Sequence, residues 1–162
     1  MRYRNEITNP LKRTVMKKIF AILAVGLAFS ATACADRKDV FSRNTGDLPA
    51  PARATLDKEF PEEKVSYIKI EKEIFQSTTY EVQFVHGTEV CFNSDGEWIE
   101  VDCKREAVPA TFIPEAIKSQ VDDMFPGEPI TKIEKDSREY EVELSNGVEL
   151  KFDKRFRLRE VD

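Results

Sequence analysis

Over residues 140–153 apolar and charged side chains alternate. Tyr140, Val142 and Leu144 fall on one side with Glu141 and Glu143 on the other, and Val148, Leu150 and Phe152 then alternate with Glu149, Lys151 and Asp153. A period of two with one apolar side predicts two antiparallel strands in a sheet with one dry and one wet face. Leu144 and Val148 share a face only if the loop is three residues, Ser145-Asn146-Gly147, with Gly147 in the left-handed conformation. Val85-His86-Gly87 occupies the same place in an earlier hairpin. Helical spacing appears in two other segments. Ile117, Val121, Met124 and Phe125 recur between Pro114, suited to a first turn, and Pro126-Gly127, which ends the helix. An earlier helix runs from Pro49 or Pro51 through Ala54, Leu56 and Phe60 and stops at Pro61. Each apolar stripe marks a face that packs against the rest of the protein.

The same series of residues occurs twice. Phe60-Pro61, Tyr80-Glu81-Val82, Gly87, Glu89, Phe92 and Glu100-Val101-Asp102 return as Phe125-Pro126, Tyr140-Glu141-Val142, Gly147, Glu149, Phe152 and Glu160-Val161-Asp162. The offset is 65 up to Phe-Pro and 60 from Tyr-Glu-Val onward, as expected of a tandem duplication with one gap of five residues. Strands at 65–74 and 98–101, with counterparts at 130–133 and 158–161, complete each copy. The fold class is therefore α+β: a tandem duplication of a helix-plus-four-strand antiparallel unit, in two layers, with about eight strands and the helices on one face. One copy of about 55 residues buries too little surface to stand alone. Repeat 1 (48–103) and repeat 2 (104–162) are thus expected to share one sheet and one core as a single structural domain.

The segment ahead of the repeats reads as an address. Met16-Lys17-Lys18, an apolar run over 19–29 and the small-residue site Ala31-Thr32-Ala33 make residues 1–35 a secretory signal peptide with an N-terminal extension. The run is shorter than the roughly 18 residues of a membrane span, so no span is expected and the mature protein belongs in the periplasm or outside the cell. Cleavage after Ala33 would leave Cys34 free for lipidation and a lipid anchor, although Ala stands where a lipoprotein box usually has a bulky residue. Cleavage at Ala33-Cys34-Ala35 would remove the cysteine, and both outcomes stay open. Residues 36–47 are polar around Val40 and Phe41 and read as a linker or a loosely docked arm.

Removing the leader sharpens the charge. The chain carries a net −5, of which residues 1–34 contribute +5 from six Lys or Arg and one Glu, so the processed protein stands at −10. Nucleic acid is not an expected partner of so acidic a chain.

Residues suited to catalytic chemistry are few. His86 is the one histidine, and Asn146 stands at its place in the second copy, which assigns it to a hairpin turn. Without further histidines or paired cysteines, nucleophile–base triads and zinc sites lack their residues, so no metal and no cofactor are expected. The carboxylates Glu81, Glu89, Glu141, Glu143 and Glu149 fall on the wet strand face rather than across a cleft. The six glycines are scattered singly and form no phosphate loop. Cys91 and Cys103 form the remaining candidate constellation. If Phe92 faces Trp98, Cys103 lies about four residues past the position opposite Cys91, roughly 13 Å away and beyond disulfide reach, unless a bulge or a wide Ser94-Asp95-Gly96 loop closes the gap. A structural disulfide and two free thiols both stay open.

The wet face is the remaining candidate. Tyr67, Lys69, Glu81, Gln83, Glu141, Glu143 and Arg157 project from it as candidate partner-binding residues, a mixture of aromatic and charged groups of the kind that anchors interfaces. Phe75 and Trp98 are further candidates, although Trp98 aligns with Leu158 and fits the core better.

Phe-Pro, a Lys-Ile-Glu-Lys strand, Tyr-Glu-Val, Asn-Gly-Val-Glu-Leu-Lys-Phe-Asp and a terminal Glu-Val-Asp, duplicated behind an export signal, resemble the PepSY-like family of exported bacterial proteins described as β-lactamase-inhibitor-like. The resemblance covers residues 48–162 and implies tandem helix-plus-sheet halves. It also implies a protein that grips a target enzyme with its exposed sheet face.

The expected function is that of an exported, non-enzymatic protein engaging a protein or peptide through the sheet face, with inhibition of an envelope or extracellular protease or hydrolase as its sharpest form. The alternative is a small-ligand or cation-binding envelope sensor drawing on the surplus carboxylates. A hydrolase ranks third for want of a catalytic constellation. The strand at either end of the sheet can pair with a second copy, so monomer and homodimer are both open.

Overall fold

The computed structural model describes residues 38–72 and 77–162; the segment read as a signal peptide, Cys34 and Phe75 lie outside the described residues. Nine strands form one antiparallel sheet in which each is bonded to its sequence neighbours. The elements run β1 (Lys38–Ser42), α1 (Ala50–Glu59), β2 (Val65–Lys72), β3 (Thr79–Phe84), β4 (Glu89–Phe92), β5 (Trp98–Asp102), α2 (Glu115–Met124), β6 (Ile130–Lys135), β7 (Glu139–Leu144), β8 (Glu149–Asp153) and β9 (Leu158–Val161). Single 3₁₀ turns, Thr45–Asp47 and Ala110–Phe112, precede the two helices. Both helices start directly after a proline, Pro49 or Pro114, whose fixed φ suits the approach to a first turn. None of the described helices is long and apolar enough to cross a membrane.

The alternation decides which face is covered. Val82 and Phe84, Val90 and Phe92, Val101, Ile133, Val142 and Leu144, and Leu150 and Phe152 are buried in one cluster with Ala52 and Leu56 of α1 and Ile117 and Val121 of α2. Both helices therefore pack on the same side of the sheet and share one core. Burial of such side chains contributes about 1.5–3 kcal/mol each. Trp98 packs at the margin of this core, edge-on to Phe112 at 5.4 Å, with the Lys135 ammonium 3.9 Å from its ring centroid. Phe92 faces Trp98 as the alternation implies.

The hairpins adopt the expected register. Leu144 N–H donates to the Val148 carbonyl and Phe84 N–H to that of Thr88, while Gly147 and Gly87 sit at φ +84 and +101. His86 is exposed in the second of these turns, 3.8 Å from Glu63.

Two expectations change, and one question left open is answered. The sheet has nine strands rather than about eight, because part of the 36–47 segment read as a linker is β1. It pairs along β2 from Lys38↔Lys72 to Ser42↔Ile68, and is held by Phe41 edge-on to Tyr67 at 5.8 Å and by Arg43 Nε donating to the Ser66 carbonyl. Cys91 and Cys103 are free thiols, not a disulfide. Cys91 stands opposite Glu100, on the side away from the helices, whereas Cys103, three residues further on, turns into the helix-covered core. Side chains on opposite faces of a sheet cannot be bridged. The second change concerns the uncovered face, which is only partly wet.

Candidate binding face on the uncovered side of the sheet

Because successive strands are in register, the residues that point away from the helices line up in rows across the sheet. One row runs Phe41, Lys69, Glu81, Cys91, Glu100, Glu134, Glu141, Lys151 and Glu160, each directly opposite the next. Beside it runs a second, Tyr67, Gln83, Glu89, Asp102, Lys132, Glu143 and Glu149. Carboxylates dominate the middle of both rows, and lysines stand at intervals.

Toward β2 the face is tied together. Tyr67 donates its hydroxyl to Glu81 Oε1 at 3.0 Å, and Lys69 lies 2.5 Å from Glu71 and 4.0 Å from both Glu81 and Asp39. Burial, then the bond to Glu81, pushes the Tyr67 phenol up to about 12, so it remains a donor. Gln83 Nε2 donates to the Thr88 carbonyl at 3.0 Å. Toward β8, Lys151 lies 3.3 Å from Glu160 and 3.7 Å from Asp162.

The centre differs from both flanks. Glu100 is 3% exposed; its Oε1 meets the Lys132 ammonium at 2.6 Å, and its Oε2 is buried without a hydrogen-bond partner. Burial works against the charge of Lys132, but Glu100, and beyond it Glu134 and Asp102, outweigh that and hold the ammonium above its usual range. Glu134 is pushed up to about 7 by burial and then by the charge of Glu100, with Lys132 pulling the other way. Burial also raises Glu141 and Glu89. The Cys91 thiol is driven well up by burial and then by Glu100, and Cys103 is pushed up by burial to about 11, so both stay protonated near neutral pH.

The state of Glu134 has a measurable consequence. Its ordinary value is 4.5, so between that and about 7 the folded chain holds a proton that the unfolded chain has released. This stabilisation is complete below the unfolded value and is lost as the pH rises through about 7. Glu134→Gln, which keeps the neutral shape, should raise the melting temperature well above wild type near pH 8 and hardly at all near pH 4.5. An equal shift at both pH values would contradict the assignment.

Of the residues expected on this face, Tyr67, Lys69, Glu81 and Gln83 form one contiguous group on β2 and β3. Glu141 and Glu143 lie on β7, across the central strands from that group. Arg157 stands apart, at the turn before β9, bound to Asp153, whose carboxyl is held far below its usual range by that bond. The central residues Glu100, Glu134 and Lys132 were not singled out, although the same parity that picks Glu141 places them here. Among the described residues no group of three acidic, histidine or cysteine side chains is arranged to hold a metal ion. A groove of about 340 Å³ between α1, β2 and β3 is lined by Leu56, Phe60, Val65 and Phe84 together with Asp57 and Glu63.

The family model described as "Putative beta-lactamase-inhibitor-like, PepSY-like" matches residues 78–160. The chain belongs to the PepSY-like family. Three crystal structures are similar to this PepSY-like chain. A Bacteroides vulgatus protein described as a "putative periplasmic protein of unknown function" is 43% identical with a TM-score of 0.74, over 77% of this chain and 99% of that one. A Bacteroides thetaiotaomicron protein described as a "putative calcium-regulated periplasmic protein" is 38% identical with a TM-score of 0.72, over 78% and 97%. A second B. vulgatus protein, described as a "putative periplasmic protein", is 36% identical with a TM-score of 0.72, over 80% and 99%. No curated protein matches the chain.

Proposed function

We propose that this PepSY-like protein is an exported, non-enzymatic binding protein of the periplasm that engages a protein or peptide through the uncovered sheet face. The observation that carries this reading is the face itself, on which the helices leave two cross-strand rows bare and the half-buried carboxylates at the centre lack enough lysines to balance them. Likeness to three proteins described as periplasmic supports the location. Stoichiometric inhibition of an envelope protease or hydrolase is the sharpest form of the proposal, and the family description supports it.

We also read the two halves as a tandem duplication. The strand irregularities support this: those at Val65/Tyr67 and Ile130/Lys132 are 65 residues apart, and those at Cys91/Phe92 and Lys151/Phe152 are 60 apart, the two offsets of the repeated motifs.

Affinity capture from envelope extract, with mass spectrometry, tests the binding role. Tyr67→Ala loses the aromatic group and its bond to Glu81, and Glu141→Lys inverts a charge in the central row. Each should weaken capture of the partner by about tenfold, the cost of one charge-assisted hydrogen bond, with the fold intact by circular dichroism. Wild-type capture by both variants would sink the proposal. A second reading, a cation-responsive sensor, draws on the relative described as calcium-regulated. It predicts a rise in melting temperature with calcium, because a ligand that binds only the native state stabilises it.

A further inference from the structure

The sheet ends on two unlike edges. Proteins blunt an open edge with short strands, charged side chains or bulges. β9 combines all three: it has four residues, Arg159 and Glu160 are exposed along it, and its pairing with β8 is irregular between Lys151 and Phe152. Its one exposed large apolar residue, Val161, stands at its end. β1 instead pairs with β2 in unbroken register over five residues, and its middle is apolar, with Val40 48% and Phe41 64% exposed. The outward-pointing N–H and C=O groups of such a strand form a template for another strand, and no described strand lies beyond it. The preceding segment is too short to cover it. Once the leader read in the sequence is removed at either site, at most residues 34–37 remain ahead of β1, too few to turn back and run along it.

We propose that β1 pairs antiparallel with β1 of a second copy about a two-fold axis at Phe41, joining two nine-stranded sheets into one. This stands apart from the reading of the uncovered face. A two-fold axis normal to the sheet keeps each face on its own side, so it passes beside a residue of β1 and not between two. Centred on Lys38 or Asp39, the axis sets like charges against each other, which destabilises a sheet. Centred on Val40, it sets Asp39 against Phe41 of the second copy, and centred on Ser42 it carries Asp39 past the strand to Thr45. Centred on Phe41, it sets the two Phe41 rings together and Asp39 against Arg43 of the second copy at both ends. Residues directly opposite in antiparallel strands stand about 4.5–5.5 Å apart at Cβ, within reach of aromatic and opposite-charge pairing. Both charged groups have capacity to spare. Arg43 uses Nε on the Ser66 carbonyl and makes no ion pair among the described residues, and Asp39 meets only Lys69 there, at 4.0 Å. Five residues from each copy bury less than the roughly 1,200–2,000 Å² of a standard interface, so the pairing is reversible on dilution.

Sedimentation equilibrium of the processed protein, purified from the periplasm, tests this. Wild type should pass from monomer to dimer as its concentration rises to about 0.1 mM, as suits so small an interface. Asp39→Arg sets an arginine against Arg43 of the second copy, and Arg43→Asp sets an aspartate against Asp39. Each variant alone should dimerise about tenfold more weakly, because two cross-strand pairs have turned repulsive. An equimolar mixture of the two variants again brings arginine against aspartate at both ends and should associate like wild type, which a loss of folding or a loosened β1 would not allow. A wild type that stays monomeric at its highest soluble concentration overturns the proposal. So does a dimer that both variants keep, which places the contact elsewhere, and so does a mixture no more associated than the separate variants.

Discussion

Lys132→Met should lower the stability of the fold by about 3–5 kcal/mol, the cost of removing one partner from a buried ion pair. Glu100 is 3% exposed and Lys132 is its one cationic contact among the described residues, at 2.6 Å. Without the ammonium, Oε1 of Glu100 is left as unpartnered as Oε2, and Glu134 across the strand adds a second negative charge at about pH 8 and above. The double variant Lys132→Met/Glu100→Met should recover most of the loss. Replacing a buried pair by apolar groups of similar volume is often neutral, whereas halving it strands a charge. Denaturant midpoints at constant slope measure both quantities. A double variant as unstable as the single one would show that the loss comes from packing rather than from the uncompensated carboxylate.

Gly96→Ala should cost roughly 2–5 kcal/mol, the sum of a left-handed backbone penalty and an overpacking penalty. Gly96 sits at φ +80, and a Cβ there would lie 2.8 Å from Pro49 Cβ and 3.0 Å from the Ala52 backbone nitrogen. The β4–β5 turn thus lies against the first turn of α1, where Ala52 is fully buried and the backbone cannot give way. Gly147→Ala is the internal comparison. Its φ of +84 is nearly the same, but a Cβ would meet nothing within 4 Å, so it should cost only the backbone share, about 1–2 kcal/mol. Equal losses at the two sites would show that the approach of α1 to the turn does not contribute. The corresponding turn of the other half uses Phe156 at φ +59, which packs 5.4 Å from Tyr140 and whose carbonyl accepts from Gln120 of α2. There the turn fills space beside the helix instead of yielding it.

Much of this architecture was legible because the chain repeats a strong pattern. Pro114 and Gly127 bracket α2, and the three-residue hairpin loops follow from the shared face of Leu144 and Val148. β1 was not legible: with five residues on a sheet edge, Val40 and Phe41 stay largely exposed, so its pattern is too short and too weakly buried to announce a strand. The fate of the cysteines depended on register. The irregularity between Cys91 and Phe92 puts Cys91 opposite Glu100, and parity then sends Cys103 to the other face.

The candidate face was legible at its flanks and not at its centre. Tyr67, Glu81 and Glu141 follow from alternation within single hairpins. That Glu100 and Glu134 are neighbours depends on β5 pairing with β6, a contact between the two halves that no hairpin loop dictates. Their burial in turn comes from standing mid-sheet with strands on both sides, so a position that reads as solvated on one strand becomes shaded in nine.

Site-specific photocrosslinking in the periplasm tests the central claim most directly. With a benzoylphenylalanine replacing Gln83 on the uncovered face, irradiation should give a discrete adduct with a partner protein, and the same probe replacing Lys118 on the outer surface of α2 should give none. Adducts from position 118 alone, or from neither position, would contradict the assignment of partner binding to the uncovered face of the sheet.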